Sequence, residues 1–228
     1  MVEALKSGRR KVFEIFDAVG DQEVKKAAGS RGIKPSRVSR QRVDELSRGG
    51  VHQGVAARVE PYPYSGLAEI LALPEPLVLI LDGVTDPRNL GAIVRSAAAF
   101  GGHGVLVPER RAAGMTASAW KTSAGAAARL KVARATNLTR ALEGLKKQGC
   151  FVVGLDADGD VELPHLAMAH DPLVLVIGSE GKGLSRLVRE TCDVVVSIPM
   201  HAATESLNAG VAAGVALYEV ARRRTHGG

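Results

Sequence analysis

The sequence predicts an α/β protein in which a parallel β-sheet is covered by helices on both faces and preceded by a smaller α/β module. Two observations carry this expectation. From residue 77 onward, short unbroken apolar runs alternate with amphipathic stretches, the pattern of strands buried on both faces and joined by crossover helices. Between the two regions, EPYPYSGLAEILALPEP holds four of the ten prolines and breaks the periodicity, which marks a boundary at about residues 60–76.

In the first region KVFEIFDAV reads as a strand and DQEVKKAAGSRG as a helix ending at Gly32. DELSRGG reads as a second helix closed by glycines, and GVAARVE as a strand. Beyond the boundary, strands are expected at 77–81, 105–108, 151–155, 173–177 and 194–199. Helices are expected at 87–100, 116–127, 138–148, 184–190 and about 205–224. In such sheets ligands sit beyond the carboxyl ends of the strands. Here those ends read LDGVTDPRN, VIGSEGKG and SIPMHAATESLN.

Composition narrows the function classes. Aromatic residues are only 4% of the chain, which argues against a recognition surface built on stacking rings. Cys150 and Cys192 fall in or beside apolar runs and read as reduced structural thiols. No apolar stretch approaches the length of a membrane span and MVEALKSGRRKVFEIF lacks a signal-peptide layout, so a soluble cytoplasmic protein is expected. The net charge is +6, and residues 25–48 alone carry +6, from Lys25, Lys26, Arg31, Lys34, Arg37, Arg40, Arg42 and Arg48 against Asp44 and Glu45. That density suits either a phosphate-binding surface or a solvated helix face.

The three loops have local explanations when taken singly. Asp86 can cap a helix that starts at Pro87, with Leu90, Ile93, Val94 and Ala97 as its core stripe. Arg95 then reads as a solvated flank residue and Asn89 as a turn residue. GSEGKG follows a buried strand but lacks both the Walker and the dinucleotide spacing. Glu180 within it can hydrogen-bond a ligand or hold an arginine. TESLNAGVAAGVALYEVARRR starts a helix that is apolar almost all round, which implies cover on both sides, by the sheet and by something else such as a second subunit. Ser206 and Asn208 can cap it. DADGDVE lacks the spacing of a calcium loop, and the six histidines show no metal-ligand spacing, so no metal is expected.

Taken together, DGVTDPRNLGAIVRSAAAFG, LVIGSEGKGLS and IPMHAATESLNAGVA resemble the three ordered motifs of the SpoU (TrmH) family of RNA 2′-O-ribose methyltransferases. The N-terminal module, ending in VHQGVAARV, resembles the small ribosomal-protein-like RNA-binding domain of the family's 23S rRNA guanosine methyltransferases. The resemblance implies an RNA substrate-binding domain at 1–62, a linker at 63–76 and a catalytic domain at 77–228. That catalytic domain would be of the SPOUT type, with a deep C-terminal trefoil knot, an exception to un-knotted topology.

It also implies S-adenosylmethionine held by backbone groups of Gly178, Ile198 and Leu207, with Gly181 and Met200 beside them, and a homodimer packed through the last helix. Asn89, Arg95, Glu180, Ser206 and Asn208 match the family's functional polar positions, and Lys25, Lys26, Arg37 and Arg40 are the candidate RNA contacts. A guanidinium keeps its proton in water, so the position of Arg95 suits an electrostatic stabiliser better than a general base. One departure is Gly210, where the family commonly has serine. The implied activity is 2′-O-methylation of a guanosine in 23S rRNA. Alternatives are a tRNA or antibiotic-resistance rRNA methyltransferase, or a catalytically silent ribosome-assembly factor.

Overall fold

The computed structural model describes residues 5–6, 10–47, 52–167, 169–201 and 206–226. The chain divides into two compact units, Met1–Pro63 and Tyr64–Gly228.

The first unit runs β1 (Val12–Asp17), α1 (Gln22–Gly29), β2 (Ser36–Arg37), α2 (Arg40–Ser47) and β3 (Val55–Val59). β1 is central, parallel to β2 and antiparallel to β3. Val12 and Ile15 of β1 pack on Val24, Ala27 and Ala28 of α1. The turn into α1 is organised by Asp17, which is 2% exposed and whose Oδ1 accepts from the amides of Val19 and Gly20. Burial pushes its carboxyl up, but these amide bonds and the nearby Arg37 outweigh that and hold it below the ordinary range. α2 starts earlier than the expected helix because Ser39 Oγ accepts from the Arg42 amide at its first turn. Arg48 and Val51 lie outside the described residues.

The second unit runs α3 (Leu67–Leu71), β4 (Leu77–Leu81), α4 (Pro87–Ala99), β5 (Gly104–Pro108), α5 (Ala117–Thr122), β6 (Lys131–Ala135), α6 (Leu138–Lys147), β7 (Phe151–Leu155), β8 (Val161–Glu162), β9 (Leu173–Ile177), α7 (Arg186–Thr191), β10 (Val194–Ser197) and α8 (Ala209–His226). Seven strands form one sheet in the order β6-β5-β4-β9-β7-β10-β8, with every pairing parallel. β4 and β9 are buried at every residue, which is why their sequences are unbroken apolar runs. The edge strands β6 and β8 were not anticipated. An edge strand is covered on fewer sides, so its sequence can alternate with Lys131, Arg134 or Glu162 and give no apolar run.

The expected linker at 63–76 is corrected by the structure. Its residues from Tyr64 belong to the second unit, where α3 buries Ile70 completely among Val78, Leu106 and Val174. Ile70 fills the space left by Gly104, whose added Cβ would lie 2.4 Å from Ile70 Cδ1. The prolines therefore signalled turns around a short packed helix.

α8 is covered on one face only among the described residues. Ala209, Ala213, Ala216, Leu217 and Val220 are buried, whereas Val211, Val215 and Tyr218 are exposed. It lies along α4 in the same direction. Gly210 faces Ala92, Gly214 faces Ser96, and Tyr218 meets Phe100 edge-on at 5.9 Å. A Cβ at Gly210 would come within 3.2 Å of Ala92 Cβ, so glycine at this position permits the close approach of the two helices.

Two arginines fasten the end of α8. Arg224 donates to the carbonyls of Ala169 (2.7 Å), Asp171 (2.8 Å) and Glu75 (3.2 Å), and Arg223 donates to Leu166 O (2.8 Å) and Pro164 O. Arg222 and Arg223 hold Glu219, whose carboxyl is drawn down to about 2 chiefly by the Arg222 hydrogen bond. Arg224→Ala leaves three carbonyls without their charged donor. It is expected to lower stability by about 2–3 kcal/mol and the melting temperature by roughly 5–10 °C, read by calorimetry of the full chain. An unchanged melting curve removes the clasp from the account.

Candidate functional site

β4, β7, β9 and β10 all deliver their carboxyl ends to one side of the sheet, and the polar loops gather there. The first turn is built as its residues suggest. Asp86 Oδ1 accepts from the Arg88 amide at 2.8 Å and Pro87 opens α4. That amide, followed by the Arg88 side chain, holds the Asp86 carboxyl below its usual range. Gly91 lets α4 close on α5, since an added Cβ would stand 2.4 Å from Ala119 O.

The second loop, Gly178–Gly183, folds back on itself through reciprocal amide bonds between Ser179 and Gly183, both 3.0 Å. Gly178 must lack a side chain because a Cβ would fall 2.4 Å from the Gly183 carbonyl carbon. Gly181 and Gly183 take positive φ, +74° and +61°, where an L side chain is strained.

Glu180 projects from this loop to the other two motifs. Its Oε1 accepts from Asn89 Nδ2 at 2.8 Å, from Asn208 Nδ2, and from the Ala209 amide at 3.2 Å. Asn208 Nδ2 also donates to Asn89 Oδ1 at 2.9 Å, which closes a triangle of three side chains. Asn208 Oδ1 accepts from the amides of Gly210 (2.9 Å) and Val211 (3.3 Å), so Asn208 caps α8. The helix expected from residue 205 starts at Ala209. Residues 202–205 lie outside the described residues, and Ser206 precedes the helix as an exposed cleft residue. Glu180 thus holds two asparagines where an arginine or a ligand had been considered.

Beside the triangle lies a cleft of about 230 Å³. The candidate cofactor residues Gly178, Gly181, Ile198, Met200 and Leu207 all line it, together with Glu180 and Ser206. Arg95 is not brought in. It is exposed on α4, outside the cleft lining, and six residues beyond Asn89, which turns it to another side of the helix. Lys25, Lys26, Arg37 and Arg40 are exposed on the first unit, where Lys25, Lys34 and Arg37 surround a hollow above Asp17.

One wall of the cleft was missed. Leu155, Asp156, Ala157 and Asp158, at the end of β7, face the glycine loop. Asp156 Oδ2 accepts from the Leu184 amide at 2.9 Å and pairs with Arg189 at 3.3 Å, tying β7 to the loop. Gly159 lets this wall pass β10, since a Cβ there would meet Val196 C at 2.3 Å. Its signal in the sequence is position: DADGD follows a buried strand at the same end of the sheet as the three polar loops. Among the described residues no group of His, Cys, Asp or Glu could hold a metal ion.

Comparison with known proteins follows this division. Residues 2–65 match the model described as RNA 2′-O ribose methyltransferase substrate binding, and residues 76–218 match the SpoU rRNA Methylase family. A relative from Mycobacterium ulcerans, named an uncharacterized tRNA/rRNA methyltransferase, is 58% identical over 207 residues. The match covers 89% of this chain and 66% of the relative, so the chain spans a little less than two thirds of that protein's length. Among solved structures, the SpoU methyltransferase AviRb from Streptomyces viridochromogenes in complex with AdoMet is 28% identical with a TM-score of 0.85, covering 98% of this chain and 87% of that one. An AdoMet-bound rRNA methyltransferase from Sinorhizobium meliloti is 26% identical with a TM-score of 0.82, covering 99% and 84%. With its family match extending over most of the chain and the three motifs joined through Asn89, Glu180 and Asn208, this chain belongs to the SpoU rRNA methylase family.

Proposed function

We propose that the chain transfers a methyl group from S-adenosylmethionine to the 2′-hydroxyl of a guanosine in 23S rRNA, in the peptidyl-transferase region. The observation that carries this reading is the triangle of Asn89, Glu180 and Asn208, which joins all three motifs at the edge of the cleft. The donor set of the cleft fits the cofactor. Leu155, Ile177 and Ile198 give an apolar wall for a purine ring, Gly181 opens onto the cleft without a side chain, and Asp158 and Glu180 bring carboxylates to the lining. When bound, S-adenosylmethionine supplies an electrophilic methyl on a sulfonium, a cation that those carboxylates favour.

The protein's share is positioning and charge. Gly178, Ile198 and Leu207 hold the cofactor through backbone groups, with Met200 and Gly181 completing the wall. Glu180 fixes the two asparagines, and Asn89 and Ser206 orient the ribose. Arg95, outside the cleft on the exposed side of α4, holds the target phosphate and so stabilises negative charge near the reacting ribose; as the 2′-oxygen took the methyl group its proton would pass to solvent water and the neutral thioether would leave. With glycine at 210, a hydroxyl that would help at that point is replaced by close helix packing.

The first unit is proposed to hold the rRNA through Lys25, Lys26, Arg37 and Arg40. A homodimer through α8 would cover Val211, Val215 and Tyr218, which are spaced along its exposed face. A C-terminal trefoil knot is proposed on the family resemblance of the second and third motifs. Cytoplasmic location fits an rRNA substrate, and no helix among the described residues is long and apolar enough to cross a membrane.

The test is methyl transfer from labelled S-adenosylmethionine to 23S rRNA and to tRNA, with the modified ribose mapped. Label in tRNA alone, or in neither, overturns the rRNA reading. Neutralising Lys25, Lys26, Arg37 and Arg40 together is expected to weaken rRNA binding and flatten its salt dependence by about three to four units of slope. An unchanged slope makes this stretch a solvated face.

A further inference from the structure

The β1–β3 pairing of the first unit contains a bulge. Val12 pairs with Val59 and Glu14 with Arg58, so two steps along β1 match one along β3, and Phe13 is the extra residue. This bulge lets Val12 and Ile15, three positions apart, both enter the core. Phe13 is turned outward instead and is 45% exposed. Its surroundings are cationic: Lys11 Nζ stands 5.6 Å from the ring centroid and Arg58 Cζ 5.7 Å. Glu14 fixes Arg58 by an ion pair at 3.1 Å.

We propose that Phe13, Lys11 and Arg58 form a stacking platform for an unpaired nucleobase of the RNA substrate. The base takes the ring face over which the cations stand, and Lys11 and Arg58 move out to the phosphates on either side. The inference rests on the RNA-acting function proposed above and adds that the first unit reads a single-stranded segment. Every base offers a π face, but a duplex keeps those faces covered except at its ends, so this platform discriminates between the two forms. A protein partner would be better met by apolar neighbours than by two cations around one ring. The low aromatic content of the chain argues against a surface of many rings, yet a single ring set out by a bulge needs no such content.

The test compares the full chain with Phe13→Ala, Phe13→Trp and Arg58→Ala, using a short unstructured RNA and a blunt RNA duplex of equal length. Phe13→Ala is expected to weaken single-strand binding by at least about fivefold, with duplex binding unchanged. Phe13→Trp should bind within about twofold of the unmodified chain, and its indole emission should be quenched by the single strand when read against Trp120. Arg58→Ala should reduce the salt slope by about one unit. Unchanged single-strand affinity in Phe13→Ala, or an equal loss on duplex, overturns the platform. If methyl transfer to rRNA persists in that case, the proposed function stands without it. An unmodified chain that binds no RNA and transfers no methyl overturns both.

Discussion

Glu180→Ala is expected to lower methyl transfer by about 10²-fold or more, while the fold survives. The carboxylate's Oε1 is the shared acceptor for Asn89, Asn208 and the first amide of α8, so its removal frees both asparagines at once. Glu180 is exposed and its loop is closed independently by Ser179 and Gly183, which is why the melting temperature should move little. Glu180→Gln keeps an acceptor oxygen without the charge. Substantial recovery in that variant assigns the loss to orientation, and none assigns it to charge. Activity close to that of the unmodified chain in Glu180→Ala would remove the triangle from the mechanism.

Arg95→Ala is the second large effect. The residue lies outside the cleft and on the solvent side of α4, so neither the melting temperature nor cofactor affinity should change. Methyl transfer should nevertheless fall by about 10²-fold, the scale for losing one electrostatic stabiliser. Arg95→Lys should restore little, because an ammonium cannot reproduce a planar two-pronged donor. Full turnover with lysine, or unfolding with alanine, returns Arg95 to the solvated flank of its helix. Calorimetry and single-turnover methyl transfer on the same preparations separate these outcomes.

The buried strands and the three loops were legible because each rests on a local rule. β4 and β9 must be apolar on both faces, and Pro87 after Asp86 announces a helix start. Elements satisfied only by distant partners were not legible. β6 and β8 become strands by adding to an existing sheet, and α3 looked like a linker until Ile70 found the gap at Gly104. In the site, Glu180 stood out in its loop, but nothing local says that its partners lie 91 and 28 residues away. Asp156 was hidden for the same reason, since its contacts are with Leu184 and Arg189. The outward turn of Phe13 was not legible either, because a bulge is visible only once the partner strand is in place.

The triangle also has a history within each molecule's synthesis. Asn89 and Asn208 are separated by 119 residues, and Glu180 comes late between them. At about 5–20 residues per second, a ribosome takes roughly 6–24 s to pass from the first asparagine to the second. Throughout that interval β4 and α4 exist without the segment that completes the cleft. The N-terminal unit, proposed above to hold the RNA, is therefore synthesised well before the cleft is complete. On the function proposed above, the cleft is complete only when Asn208 and α8 join α4, and a chain truncated before Asn208 is expected to show no methyl transfer.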